Sequence, residues 1–417
     1  MKFIIHGGKK LHGTLFVAGM KNAATPIIAA TLLTDEVCTL SNIPRISDVE
    51  VMLSILKSMG SEVAWTNDHE VTICNKNARI EAVDEKTMKR LRSSSLFMGP
   101  FLARFEKASI AEPGGCIIGN RPLGTHFHAL EKLGATIERT NGHYELSRTE
   151  LIGSRIVLLE ASVTATENVL MAACAAIGET TIVNAAYEPH VQDLAWFLVA
   201  MGAQIEGIGT STLRIQGGRL LSGATHAIIP DTIEAGTFLM LGIATKSELT
   251  IQHARSEHMD VVLEWLKTIG AHFDIFEDSI TLRVSSSLKA AHFEFYAYPR
   301  LPSDLQAIFG VLATQLHGTT LIHEKMFEGR LGYISELVKM GANAVICDPH
   351  RVLITGPTPL YGQEIRSFDL RAGAAMIIAG LIASGETIIY DAEIIDRGYE
   401  CIEERLSQVG ADIQRIE

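Results

Sequence analysis

Two kinds of apolar segment alternate along the chain. The first is apolar nearly all round, as in TPIIAATLLTDEVCTL, NVLMAACAAIGETTIV, AGTFLMLGIATKSELTI, AIFGVLATQLHGTTLI and GAAMIIAGLIASGETII. Each opens as an Ala-rich helix and, after a turn, closes as a β-branched strand. A helix with no polar face has nothing to offer water, so these segments predict buried helices. The second kind is amphipathic and ends on a glycine: LKSMG, LEKLG, LVAMG, LKTIG, LVKMG and LSQVG. Glycine just past the last apolar position is a common helix stop, because it takes the left-handed conformation without steric cost. A strand follows each stop. The stops are Gly60, Gly134, Gly202, Gly270, Gly341 and Gly410, spaced by about 70 residues throughout.

Each repeat therefore reads as strand, buried helix, strand, outer helix, strand. The period exceeds that of common solenoids, so a stacked array is not implied. Six α/β units arrange naturally as two similar domains of three. The expected division is 21–229 for the first domain, and 1–20 plus 230–417 for the second, with the crossing near His226 to Pro230. The opening MKFIIHGGKK is a strand with no unit of its own and is expected to complete the second domain. Two connections between domains permit hinge closure, which puts the expected ligand site in a cleft between them.

Composition narrows the function classes. The chain has 417 residues, 47% of them hydrophobic, and a net charge of −12. That acidity argues against nucleic acid or an anionic membrane as partner. Six cysteines are scattered with no CxxC pair, so neither the common zinc spacings nor a disulfide framework is expected. No window has the length of a bilayer span and the N-terminus lacks a signal-peptide core, so a cytoplasmic location is expected.

Candidate chemistry sits where glycine or charge interrupts the apolar pattern. PGGCIIGNRP, from Pro113 to Pro122, is too rich in glycine for helix or strand and predicts a mobile loop carrying Cys116 and Arg121. A thiol near a fixed positive charge has a lowered pKa and serves as nucleophile or acid at neutral pH. Lys21 and Asn22 open the first buried helix, an anion site or a cap beside a solvated lysine. Arg92 lies in KRLRSSSLF, whose serines could cap the next buried helix. Asp231 and Glu234 stand at the mouth of the fourth, where acids suit the helix dipole. In the fifth unit Ser303 or Asp304 caps the helix or Asp304 acts in chemistry. The sixth opens with Asp369 and Arg371. Arg397 follows Asp396, which could pair with it. His126 and His128 have no acid or cysteine at metal spacing and read as structural.

Taken together, these residues resemble the enolpyruvyl transferase family, and within it the members that act on UDP-N-acetylglucosamine for peptidoglycan synthesis. The resemblance runs the length of the chain. PGGCIIGNRP followed by LEKLGA is its most specific part, and KNAA, SDLQA, DLRAGA and IDRGYE keep the family's order. It implies two inside-out α/β barrel domains, each of three βαβαβ-type units with the helices inside. It implies that Cys116 is the general acid toward phosphoenolpyruvate and forms an adduct with it, and that the epoxide fosfomycin alkylates this thiol. Lys21, Asn22, Arg121, Arg371 and Arg397 are implied at phosphoenolpyruvate, with Lys21 and Arg397 among the catalytic set. Asp304 is implied at the attacking sugar hydroxyl, with Asp369 close by. Arg92, Arg121, Pro122, Leu123, Gly124, Thr125, Ser162, Val163 and Met326 are implied at the sugar nucleotide, with Asn22 and Asp304. No metal or organic cofactor is implied.

The sequence also departs from the family pattern, at Glu160, Thr164, Thr232, Arg300, Ile394 and the FEGRLGYISEL run with Gly329 and Gly332. These departures touch the sugar-nucleotide side rather than the covalent and phosphate set. Two alternatives follow: an enolpyruvyl transferase with another nucleotide acceptor, and a non-catalytic paralogue that binds a sugar nucleotide and regulates.

Overall fold

Every all-apolar segment becomes a buried helix in the computed structural model, which describes residues 1–417 apart from 113, 115–117, 120 and 286, and of Glu85 the backbone alone. With Met98–Arg104, which belongs to none of the five segments, the inner helices number six: α1 (Lys21–Ala30), α2 (Met98–Arg104), α3 (Val163–Ala175), α4 (Thr232–Ala244), α5 (Gln306–Ala313) and α6 (Leu370–Ile382). All of α5 is buried, and so is all of α4 beyond Thr232. Burying each Leu, Ile, Phe or Met contributes about 1.5–3 kcal/mol, so these helices carry the core. Close approach demands small residues on them. A Cβ on Gly310 of α5 would lie 2.0 Å from the Tyr333 hydroxyl, and one on Gly99 of α2 would lie 2.2 Å from the Asn168 carbonyl oxygen.

The outer amphipathic helices end as the glycines predict. Gly60, Gly134, Gly202, Gly270, Gly341 and Gly410 have φ between 95° and 105°. In five of the six, the N–H after the glycine reaches back to the leucine carbonyl of the last turn: Ser61 to Leu56, Ala203 to Leu198, Ala271 to Leu266, Ala342 to Leu337 and Ala411 to Leu406. This closes the helix by satisfying a carbonyl that has no partner within it. Because each bonded leucine is fully buried, the same turn also anchors the helix to the core.

The described residues form six small sheets, five of four strands and one of three. The chain divides into two compact units. One comprises Gly19–Cys116 and Arg121–Ile229; the other comprises Met1–Ala18 and Pro230–Glu417, with Ile118 and Gly119 of the glycine-rich loop. In the second unit, β1 (Lys2–His6) and β2 (His12–Phe16) join different sheets; β2 runs parallel to Glu248–Gln252. β3 (His292–Phe295) and β4 (Gly318–Glu324) pair in parallel. β5 (Glu386–Tyr390) and β6 (Asp412–Ile416) flank β1, both antiparallel to it. The three buried helices of this unit, α4, α5 and α6, pack on one another. In the other unit α2 packs on α3. No helix among the described residues is long and apolar enough to cross a membrane.

Candidate active site

In the unit containing 230–417, the candidate residues gather at the entrances of α4, α5 and α6. Asp304 lies in a 3-10 turn, Ser303–Leu305, leading into α5. Its Oδ1 accepts from Arg330 Nη2 at 2.6 Å and its Oδ2 from Arg371 Nη2 at 3.3 Å. Both arginine side chains are buried, at 7% and 4% exposure, whereas Asp304 keeps 27%. Two buried guanidiniums thus meet one half-open carboxylate. Burial alone would lower the pKa of Arg371, but Asp304, then Tyr399 and Asp231, outweigh it and hold the guanidinium above its ordinary range. Asp369 caps α6, accepting from the N–H groups of Arg371 at 2.8 Å and Ala372 at 3.0 Å. Asp231 caps α4 in the same way, with Ile233 at 2.8 Å and Glu234 at 3.2 Å.

A fully buried carboxylate supports the Asp304 turn. Glu324 ends β4; its Oε2 accepts from Ser303 Oγ at 2.6 Å. Its Oε1 accepts from the N–H groups of Met326 at 2.8 Å and Phe327 at 3.2 Å. One side chain therefore fixes both the residue before Asp304 and the turn carrying Met326. Arg397 is half-buried at the end of the 3-10 turn Ala392–Arg397. Asp396 does not serve as its partner. Arg415 holds both Asp396 oxygens, at 2.7 and 2.8 Å, and also binds Glu403.

In the unit containing 121–229, Lys21 is the first residue of α1, and its Nζ lies 2.7 Å from Asp48 Oδ2, the aspartate buried and the lysine half-buried. No side chain caps α1, so Asn22 is not the cap. Arg92 donates from Nη2 to the backbone carbonyl of Arg121, which ties the segment at Arg92 to the one at Arg121. Pro122 and Leu123 then lead into the helix that begins at Gly124 and Thr125. Thr125 Oγ1 donates to Glu160 Oε1 at 3.1 Å. Ser162 caps α3, which begins at Val163, accepting from the Ala165 N–H at 3.4 Å. His126 is buried, with Nε2 2.8 Å from Thr164 Oγ1. Burial, then Arg92 and Arg121, push its pKa down to about 3, so it is neutral at physiological pH. The serines of RSSSLF do not cap α2; Ser94 and Ser95 instead donate back to the carbonyls of Leu91 and Arg92.

Cys116 lies outside the described residues. Close to it, the Ile118 carbonyl accepts from the Gly329 N–H at 2.9 Å. Gly119 has a φ of 142°, and a Cβ there would meet the Glu328 carboxylate at 2.5 Å. Two other thiols are inert by environment. Burial pushes Cys174 up to about 12 and raises Cys38 as well.

The local pattern of the sequence does not single out Arg330, Glu324 or Asp48. Glu324 had a signal in strand parity, since Thr320, Ile322 and Glu324 alternate on the buried face of β4. Asp48 had one too: it shares the buried face of an outer helix with Val49, Met52 and Leu53. Arg330 had none, because its carboxylate partner stands 26 residues away.

Known proteins resemble the chain along essentially its whole length. The profile of the family EPSP synthase (3-phosphoshikimate 1-carboxyvinyltransferase) matches residues 5–406. A UDP-N-acetylglucosamine 1-carboxyvinyltransferase of Koribacter versatilis is 44% identical over 418 residues, covering 100% of this chain and 96% of the relative. One from Bradyrhizobium diazoefficiens is 43% identical over 424 residues, covering 100% and 98%. Among solved structures, the enolpyruvyl transferase NikO from Streptomyces tendae superposes with a TM-score of 0.91 at 24% identity, covering 99% of this chain and 98% of that one. EPSP synthase from Acinetobacter baumannii does so with a TM-score of 0.77 at 21% identity, covering 100% of both. These two structures share the fold, in which the helices lie inside and the sheets outside.

Proposed function

The chain belongs to the enolpyruvyl transferase family, and from that premise we propose that it transfers the enolpyruvyl group of phosphoenolpyruvate to the 3′-hydroxyl of UDP-N-acetylglucosamine, releasing phosphate, in peptidoglycan synthesis in the cytoplasm. The observation that carries this reading is 40–44% identity, along essentially the whole chain, to relatives that bear the name of this transferase.

The reaction is an addition followed by an elimination. A proton goes to C3 of phosphoenolpyruvate while the sugar hydroxyl attacks C2 and loses its own proton. The tetrahedral product then loses a C3 proton and expels phosphate, leaving the enol ether. This chemistry asks for an acid above C3, a carboxylate at the hydroxyl, cations around phosphate and carboxylate, and exclusion of water. We assign the acid to Cys116, which also takes up the covalent adduct. Asp304 orients the hydroxyl and receives its proton. Its two oxygens are already directed by Arg330 and Arg371, which supports a fixed position for the attacking group. Lys21, Asn22, Arg121, Arg371 and Arg397 receive phosphoenolpyruvate. Arg92, Arg121 to Thr125, Ser162, Val163 and Met326 receive the sugar nucleotide. None of these steps calls for a metal or an organic cofactor.

The test is phosphate release from phosphoenolpyruvate with a panel of acceptors: UDP-N-acetylglucosamine, shikimate 3-phosphate and free uridine nucleotides. Release with the first alone is the expected result. Turnover with another acceptor in its place would move the chain to a different branch of the family. Binding of the sugar nucleotide without turnover would make it a regulatory paralogue.

A further inference from the structure

The parallel pair β3 and β4 carries a side-chain cluster that the transfer reaction does not use. Glu294 stands opposite His323 and Phe293 opposite Ile322. Strand alternation sends Phe293, Phe295, Ile322 and Glu324 inward and leaves His292, Glu294 and His323 together on the outer face. His292 Nε2 and His323 Nδ1 each lie 3.9 Å from the same oxygen, Glu294 Oε1. One nitrogen or oxygen from each residue lies within 4.8 Å of the other two.

Those spacings exceed a hydrogen bond, yet all three ligand atoms converge. The second carboxylate oxygen, Oε2, is held by Lys325 at 2.7 Å, with Arg300 3.9 Å away. Lys325 thereby holds the carboxylate with Oε1 toward the imidazoles. Zinc binds imidazole nitrogen and carboxylate oxygen at about 2.0–2.2 Å, and a shift of about half an ångström in each side chain would bring the three to that distance. Lys325, Arg300 and Arg351, the last opposite His323 and bound by Asp348, oppose a cation and limit its affinity.

We propose that His292, Glu294 and His323 form a three-ligand site for a zinc-class divalent metal on the outer face of β3 and β4, with a fourth position open to water. The inner face of β4 ends in Glu324, which holds Ser303 and the Met326 turn. A metal joining the two strands therefore braces the support of Asp304 from the far side.

The test uses the full chain without an affinity tag. Zn²⁺ titrated calorimetrically should bind at one equivalent and raise the melting temperature, and Co²⁺ should give visible ligand-field bands on binding. His292→Ala and His323→Ala, both on the outer face, should each weaken binding by roughly tenfold or more and abolish the melting shift. His6→Ala, at the separate surface pair of His6 with Glu386 and Asp412, should leave binding unchanged. Absence of binding to the parent chain would overturn the proposal. So would binding that survives both β3 and β4 substitutions or is lost on His6→Ala.

Discussion

Replacing Glu324 tests the support beneath Asp304. Glu324 has no exposed surface and accepts three hydrogen bonds, from Ser303 Oγ and the N–H groups of Met326 and Phe327. Glu324→Ala removes all three acceptors. A buried donor left without an acceptor costs about 1–3 kcal/mol. Ser303 is 6% exposed and has no ready replacement, whereas the two N–H groups lie in a turn that water can reach. Counting the first in full and the others in part gives about 3–5 kcal/mol, a large share of the roughly 5–15 kcal/mol that holds a domain together. Glu324→Gln keeps the shape. Its amide oxygen can still take both N–H groups, and the Ser303 hydroxyl can turn to accept from the amide. That substitution should cost about 1 kcal/mol. Urea unfolding of both variants measures the stability, and phosphate-release kinetics measure the site. The alanine variant should lose kcat and raise the KM for the sugar nucleotide, because the Ser303–Asp304 turn and the Met326 turn both loosen. The glutamine variant should retain most of both. An alanine variant within about 1 kcal/mol of the parent, with normal kinetics, would refute the argument that this carboxylate sets the turn.

Gly310→Ala should destabilise by about 1–3 kcal/mol, because the added methyl meets the buried Tyr333 hydroxyl at 2.0 Å; an unchanged melting temperature would contradict that packing. Glu167 is fully buried, and burial, then Glu188, raise its pKa well above the ordinary carboxyl value. The folded state thus keeps a proton that the unfolded chain releases, so its contribution is intact below the ordinary value and declines as pH rises toward the raised one. Glu167→Gln should remove that decline, so its melting temperature should gain on the parent's as pH rises; a difference independent of pH would be the contrary result. Cys116 should be labelled far faster than the other five thiols when the protein with sugar nucleotide is treated with fosfomycin and digested for mass spectrometry, even though Cys347 and Cys401 are exposed; burial protects Cys38 and Cys174. Cys116→Ser should lose turnover, while Cys116→Asp should escape labelling and stay active; labelling spread across several cysteines would remove this loop from the chemistry. Arg397→Ala should impair use of phosphoenolpyruvate and spare nucleotide binding, with Arg92→Ala doing the reverse, each by about 1.5–3 kcal/mol; equal losses for both ligands in both variants, seen by calorimetry, would overturn that division.

What the sequence made legible was whatever depends on neighbours along the chain. A helix buried on every side needs apolar residues on every side, so α4, α5 and α6 announce themselves by hydropathy alone. The stop at five of the six outer helices is equally local, because leucine, glycine and the next residue are close together in sequence and form one hydrogen-bonded turn. The polar pairings were not legible in this way. Asp304 meets Arg371 across 67 residues, and Asp396 meets Arg415 across 19 in preference to its neighbour Arg397. Sequence adjacency suggested the wrong partner because Arg415 of β6, 19 residues further on, is brought back to both Asp396 oxygens by the fold. The same limit applies to the serines before α2, whose hydroxyls turn back to preceding carbonyls rather than forward to the helix.

The repeats also bear on the role proposed for Asp304. Each of the three buried helices in its unit begins with an aspartate at or near the same place: Asp231, Asp304 and Asp369. Two of them do what a helix start favours and accept from their own helix's N–H groups. At α5, Pro302 occupies the capping place before the turn, and no side-chain cap forms at either the turn or the helix. The carboxylate of Asp304, displaced from capping, meets Arg330 and Arg371 and keeps partial exposure. Helix capping consumes a carboxylate's lone pairs, so an aspartate engaged in it has less to offer a substrate. On the assignment proposed above, the unit that breaks the capping rule is the one that would hold the reacting hydroxyl, and Glu324, Arg330 and Arg371 are the residues that offset the lost cap.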